Sequence, residues 1–494
     1  MISDRDRAEN GNSSQKWASA LIFSFVLYYL IKTIYFALII NAGVSPDETT
    51  HLGRSLIFSA SFWQPEDSPG SYQYGLVTHV PYLYYWLMGK ALHLNVIGVS
   101  DLVFLRCINI LISLGTLWFG WKTITLLTSR TVTRVLFMVL CTNTMMLTFL
   151  GSFVSYDNLV NFLAVSSLYY MLRYFSGHST SDLLMCILLA LAGCLTKLSF
   201  LPYAVLLAVV FLLRQHRKVG LGQLAAELRP GKVFSDSRNY VVFALCLALL
   251  ALNIGLYGGN LVKFHSIKPS IEAVIGLENA LQNRIFARGY VVRQFKEDKL
   301  TLADARRMAD THIKHEGDRY GAHILLNKAA QERLQNNHYR IDRFRYAFVW
   351  LDLVLSKTYG IMGHKNMEKT GVTLVPYILI ILLAAGIMVR KFNLSDLNGN
   401  AATLLLLLAG YSLILMQFVN YNTYNKSGVI VLALQGRYLF PVIYAAYALM
   451  AYYLTSFNSR RLNILVAASV AAVFVVGEFP WFLSQVTADW YSSG

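Results

Sequence analysis

Eleven mostly apolar stretches, each long enough or nearly long enough to cross a bilayer, recur from one end of the chain to the other. A helix rises about 1.5 Å per residue, so about 20 residues span about 30 Å of hydrocarbon. The stretches fall near 17–43, 102–121, 132–152, 158–175, 181–196, 199–214, 239–260, 372–391, 401–421, 437–456 and 462–484. The pair 181–196 and 199–214 is short for two crossings. Only 14% of the 494 residues are charged, against about 25% in soluble domains. The pattern predicts an all-α polytopic membrane bundle of about 11 transmembrane helices.

A formal charge of +16 could suit a nucleic-acid partner. Here, however, many basic residues sit in short segments between apolar stretches, where they set membrane orientation. Arg5, Arg7 and Lys16 precede the first stretch, and Lys122, Arg130 and Arg134 lie between the second and third. Arg214, Arg217, Lys218, Arg229, Lys232 and Arg238 follow the sixth, Arg390 and Lys391 the eighth, and Arg460 and Arg461 the tenth. With an odd number of crossings all these clusters share one side, which places residues 1–16 in the cytoplasm. Those sixteen residues are polar and the apolar stretch after them is long enough to span, so no cleavable signal peptide is expected.

The other side then carries a first outer loop, 44–101, and a large loop, 261–371, with a short piece near 420–436. These divide a transmembrane module, 17–260, from C-terminal helices, 372–494. Thr301-Leu302-Ala303-Asp304 predicts a capped helix start, running to about Lys314. Residues 346–363 are apolar and aromatic but short, which reads as an interfacial or re-entrant helix, with an extra crossing as the alternative. The five cysteines, Cys107, Cys141, Cys186, Cys194 and Cys246, lie in apolar stretches without a CxxC pair, so neither disulfides nor a zinc site is expected. No P-loop occurs, so transport driven directly by ATP is not encoded, and no HExxH occurs.

The strongest chemical signal follows the first stretch: Ser45-Pro46-Asp47-Glu48-Thr49-Thr50-His51-Leu52-Gly53-Arg54. Unpaired carboxylates are costly in apolar surroundings, so an adjacent pair at a membrane surface faces water or a partner. With Pro46 as the first helical residue, the carboxylates occupy the first turn, where the helix dipole favours them. Asp47, His51 and Arg54 then share a face. A favourably capped helix start is the plainer reading of the same string. The loop continues with Trp63, Tyr72, Tyr74, His79, Tyr82, Tyr84, Tyr85 and Trp86. An interfacial aromatic belt accounts for most of these rings, and some can also stack on sugars.

An acidic pair just after the first crossing resembles the GT-C class of membrane glycosyltransferases. The string Pro-Asp-Glu-x-x-His-x-x-Arg is closest to one uncharacterised bacterial branch of it. Three further segments resemble the same class. Gly193-Cys194-Leu195-Thr196-Lys197 matches a Gly-x-x-x-Thr-Lys-Gly element but lacks its final Gly, and Lys197 reads either as a cation for lipid phosphate or as a snorkelling residue. Ser155-Tyr156-Asp157-Asn158 places Asp157 in a tight outer turn, as a second acid or as a helix cap. Gln435-Gly436-Arg437-Tyr438-Leu439-Phe440-Pro441 resembles the branch's Gln-Gly-Arg-Tyr-x-x-Pro signature. There Gly436 permits close backbone approach, and Arg437 can grip a carboxylate or phosphate through two bonds or merely snorkel.

The resemblance implies transfer of a sugar from a polyprenyl-phosphate donor such as undecaprenyl-phosphate-glucose, at the periplasmic face of a bacterial inner membrane. Asp47 takes the role of base, with Glu48 beside it. His51, Arg54, His79, Asp157, Lys197, Gln435, Arg437 and Tyr438 become candidate substrate contacts. The implied type is an O-antigen glucosyltransferase with lipopolysaccharide as acceptor, served by a donor-making synthase and a flippase. No other cofactor is expected. Asp47, Glu48 and His51 have the chemistry to hold a divalent ion, although the class usually works without one. Arg284, Arg288, Arg293, Arg306, Arg307 and Arg319 of the large loop read as a solvated basic face or as contacts to anionic glycan, and His364 and Lys365 as candidates to line the cavity. A lipid-linked sugar flippase and an O-antigen polymerase or ligase are the alternatives. The first would need polar residues deep in several crossings, where few occur; the second relies on Arg and His without an Asp-Glu string after the first crossing.

Overall fold

The computed structural model describes residues 4–96, 98–218, 220, 222, 224, 229–234, 236–335, 339–392, 399–432 and 434–491. Leaving one-turn helices aside, the chain runs through α1 (Asp4–Ile39), α2 (Glu48–Ser59), α3 (Leu83–Leu92), α4 (Asp101–Leu127), α5 (Thr131–Thr142), α6 (Met145–Gly151), α7 (Tyr156–Gly177), α8 (Thr180–Thr196) and α9 (Phe200–Lys218). Next come α10 (Ser237–Asn253), α11 (Gly259–Phe264), α12 (Arg284–Lys296), α13 (Leu302–His312), α14 (Glu316–Leu334) and α15 (Arg343–Tyr359). A two-residue hairpin, Ile361–Met362 with Asn366–Met367, leads to α16 (Val375–Lys391), α17 (Asn400–Ile414), α18 (Asn422–Ser427), α19 (Phe440–Leu454), α20 (Arg460–Val476) and α21 (Phe479–Gln485). The chain is an all-α polytopic membrane protein.

All eleven expected stretches are helical, but they are not equivalent. Among the described residues six helical stretches are long and apolar enough to cross a membrane: Lys16–Ile39, Asp101–Leu127, Phe200–Arg217, Ser237–Phe264, Asn400–Ser427 and Arg460–Gln485. The stretch expected at 132–152 is α5 and α6, bent by 65° at their junction, and makes a seventh if counted as one span. Two of the remaining four, α7 and α19, differ for a physical reason. Helices α7 and α19 are buried along most of their length, so protein rather than lipid surrounds them, and polar groups such as Asn158, Asn161, Ser166 and Ser167 are tolerated there.

The break between α5 and α6 leaves the last carbonyls of α5 without intrahelical partners. Lys32 of α1 answers one of them. Its Nζ donates to the Thr142 carbonyl at 2.8 Å, to Asn143 Oδ1 at 3.3 Å and to Glu478 Oε2 at 2.5 Å. This ammonium ties α1, the α5–α6 break and the α20–α21 junction together inside the bundle.

The large loop is a packed unit rather than an open strand. Ala287, Val291, Phe295, Ala305, Ala309, Leu326 and Ala329 form its own small core among α12, α13 and α14. The expected capped start is present: Thr301 Oγ1 accepts from the Asp304 N–H and donates to its carboxylate. Helix α15, covering most of the 346–363 segment, buries Tyr346, Trp350, Val354 and Lys357 along one face and ends in the short hairpin.

Candidate active site

The Asp47 backbone is left-handed, with φ 57° and ψ 11°, and α2 begins one residue later at Glu48. Pro46 therefore does not open the helix as the sequence suggested. Aspartate is one of the few residues that visits this conformation, and here it makes no side-chain cap bond. Its carboxylate is thrown away from α2. Oδ2 receives Arg437 Nη2 at 3.1 Å, and Oδ1 receives Arg284 Nη2 at 3.2 Å. The Asp47 N–H donates to His364 Nε2 at 3.3 Å. The neighbouring chain passes close by: a Cβ on Gly363 would lie 2.4 Å from the Val44 carbonyl oxygen. The side chain remains 33% exposed. Burial pushes its carboxyl up, but the Arg437 and Arg284 guanidiniums outweigh that and hold it well below the usual carboxylate range.

Glu48 does something else. It is 0% exposed, and its two oxygens take Arg106 Nε at 2.9 Å and Nη2 at 2.6 Å, with the Val154 N–H at 3.0 Å. Arg106 Nη1 also caps the α1 end through the Ala37 and Ile40 carbonyls. Glu48 is thus committed to a bidentate buried pair joining α1, α2, α4 and the α6–α7 connection. Its oxygens therefore face Arg106 and the Val154 N–H rather than standing beside the Asp47 carboxylate as an open second acid.

Arg437 stands at the centre of the cluster. It is 4% exposed and lies in the turn Gly436–Leu439, which leads into α19. Besides Asp47 it faces Asp157, with Nε 3.6 Å from Oδ2. Among the described residues, its Nε and Nη1 make no hydrogen bond. Asp157 Oδ1 takes Lys197 Nζ at 2.5 Å. That ammonium sits over the Tyr156 and Tyr438 rings, 4.4 and 5.2 Å from their centroids. The helix cap of α7 is Ser155, whose Oγ accepts from the Asp157 N–H. Gly436 permits a close approach, but to protein: a Cβ there would meet Thr358 N and Oγ1 at 2.6 Å. Lys357 supports the same turn by donating to the Leu434 carbonyl.

The remaining sequence candidates divide. His51 is buried between Tyr85, whose hydroxyl lies 2.9 Å from Nδ1, and the Tyr156 ring at 4.5 Å. Burial pulls its imidazole down to about 3, with Arg54 and Arg437 adding to the effect against Asp47 and Asp157, so the ring is neutral. Arg54 turns to the Tyr74 carbonyl and holds the 72–74 turn rather than the cluster. The expected shared face of Asp47, His51 and Arg54 is therefore not used in common. His79 pairs with Asn260 of α11 and meets the Phe264 ring edge-on, with no hydrogen bond to Asp47 among the described residues. Gln435 precedes Arg437 with its Oε1 buried and without a hydrogen-bond partner among the described residues. Lys365 pairs with Asp489 instead of lining the cluster. Among the described residues no three His, Cys, Asp or Glu side chains converge as metal ligands.

Two members were not singled out from sequence. Arg284, one of six loop arginines, bridges Asp47 and Asp318, and Arg288 and His315 hold the same Asp318. Arg106 carried a usable signal: a lone guanidinium within an apolar stretch needs a buried acid.

No family profile matches the chain, and no curated protein matches it. Among solved structures, the chain is similar to ArnT from Cupriavidus metallidurans in the apo state, at 13% identity and TM-score 0.38, covering 88% of this chain and 77% of that one. The same protein bound to undecaprenyl phosphate gives 12% identity and TM-score 0.37, over 95% and 81%. The Archaeoglobus fulgidus oligosaccharyltransferase in complex with Zn and sulfate gives 13% identity and TM-score 0.47, over 92% of this chain and 52% of that one, so this chain spans about half its length.

Proposed function

We propose that the protein is a glycosyltransferase that moves a sugar from a polyprenyl-phosphate carrier to a hydroxyl acceptor at the outer membrane-water boundary. The observation that carries this reading is the position of Arg437 between a part-exposed Asp47 and a buried Asp157, with hydrogen-bond donors unspent. A developing phosphate anion needs such preset donors, and the attacking hydroxyl needs a carboxylate within reach.

In the proposed reaction Asp47 accepts the acceptor hydroxyl's proton while that oxygen bonds to the anomeric carbon. The anomeric C–O bond breaks, and its electron pair leaves with polyprenyl phosphate. Arg437 and Lys197 neutralise the departing charge. A single displacement inverts the anomeric centre. Phosphate drawn onto Arg437 would also loosen that guanidinium's hold on Asp47 and raise its basicity. Tyr438 and Tyr156 form the floor beside Lys197, while Glu48 and His51 set the backbone that carries Asp47. The proposed acceptor is an O-antigen or lipopolysaccharide glycan on the periplasmic side of a bacterial inner membrane, with undecaprenyl-phosphate-glucose as the donor type.

Mass spectrometry of envelope glycolipids from cells with and without the gene tests the reading. A hexose increment present only with the wild-type gene is expected, and identical glycolipids in both strains would contradict it.

A further inference from the structure

A second buried cation lies away from the Asp47 cluster. Lys369 sits between the hairpin and α16 and is 2% exposed. Its backbone N–H donates to the Ser356 carbonyl, pinning it to the end of α15. Its Nζ lies 3.4 Å from the Trp481 ring centroid and 5.7 Å from that of Tyr377. Among the described residues no carboxylate forms an ion pair with it. Glu478, the acid that acts on it electrostatically, gives its Oε2 to Lys32 at 2.5 Å, and its Oε1 has no hydrogen-bond partner among the described residues. Two buried lysines therefore share one buried carboxylate. Buried lysines are rare unless paired, because an isolated ammonium is costly in apolar surroundings. Burial pushes Lys369 down to about 7, with Glu478 pulling it back up.

Lys369 borders a cavity of about 450 Å³ between α16 and the α20–α21 junction. Pro376, Tyr377, Val473, Pro480 and Trp481 make its wall mainly apolar, and the hydroxyl residues Thr373 and Ser484 also line it. Val476, a lining residue, is exposed, as are Val372 and Leu483 next to lining residues in the chain. Exposed apolar side chains at such a mouth suit contact with lipid chains in a polytopic membrane protein.

We propose that this cavity is a binding site for an anionic membrane lipid, with the headgroup phosphate on Lys369 and an apolar chain laid between α16 and α20. A zwitterionic lipid brings a cation along with its phosphate and so leaves the buried charge uncompensated overall, and a free phosphate would leave the apolar wall uncovered. The site shares no residue with the Asp47 cluster and does not depend on its proposed chemistry.

Native mass spectrometry of the full chain, titrated separately with phosphatidylglycerol, phosphatidylcholine and inorganic phosphate, tests this. Wild type should retain one phosphatidylglycerol, and Lys369→Met should weaken that retention about tenfold, the scale of one charge-assisted hydrogen bond. Phosphatidylcholine should bind both proteins equally weakly. Val476→Trp keeps the amine but plugs the mouth, and should weaken phosphatidylglycerol retention in a protein of unchanged unfolding temperature. Undiminished phosphatidylglycerol retention in either folded variant overturns the proposal, as does its displacement by equimolar inorganic phosphate.

Discussion

Arg437 Nη2 lies 3.1 Å from Asp47 Oδ2 although the two residues are 390 positions apart in the chain. The contact brings the loop after the first helix onto the turn that opens α19, and Asp157 and Lys197 complete the cluster from α7 and the end of α8.

Adjacent acids in the sequence have opposite fates, which predicts opposite phenotypes. Glu48→Gln breaks a bidentate buried pair with Arg106. Removing one partner of such a pair costs about 3–5 kcal/mol. The variant should show a markedly lower unfolding temperature in detergent and less folded protein. An unchanged unfolding temperature would contradict the anchoring role.

Gly436→Ala introduces a Cβ 2.6 Å from the Thr358 backbone nitrogen. Backbone cannot yield as a flexible side chain can, so the turn must shift and carry Arg437 with it. Overpacking of this kind costs about 1–3 kcal/mol. Transfer activity should fall more than the amount of folded protein does. Activity and folded yield falling in proportion would mean that the glycine serves stability alone.

The neutral His51 predicts a specific acid sensitivity. Its folded-state pKa, about 3, lies below its unfolded value, which is about 6.5. The unfolded chain therefore binds the extra proton, and this contribution to stability is full above about pH 6.5 and drains away as pH falls toward about 3. Unfolding temperature measured across that window should decline on acidification. His51→Gln, which can still bond Tyr85, should flatten the decline. An equally steep decline in the variant would assign it to other groups.

Much of the fold was legible because lipid imposes a length rule that sequence obeys: all eleven expected stretches are helices. The rule failed where protein replaces lipid as the surroundings, as around α7 and α19, and at the α5–α6 bend, where Lys32 satisfies a helix end from 110 positions away. Within the candidate site, Asp47, Asp157, Lys197 and Arg437 were each visible as polar residues beside apolar stretches, and the structure brings them together. Their neighbours misled for a geometric reason. Helical spacing placed Asp47, His51 and Arg54 on one face, but the left-handed Asp47 lies outside the helix, so its carboxylate leaves that face. Arg284 stayed hidden among six similar arginines because only tertiary packing selects one of them.

The most direct test of the central claim is transfer activity per folded molecule for Asp47→Asn in membranes with protein level matched to wild type. Asn keeps a carbonyl oxygen for one arginine and the backbone bond to His364, and scoring activity per folded molecule separates the base from any loss of stability on removing the charge. Loss of a general base predicts a fall of about 10²–10⁴-fold. Full activity in Asp47→Asn would contradict the account.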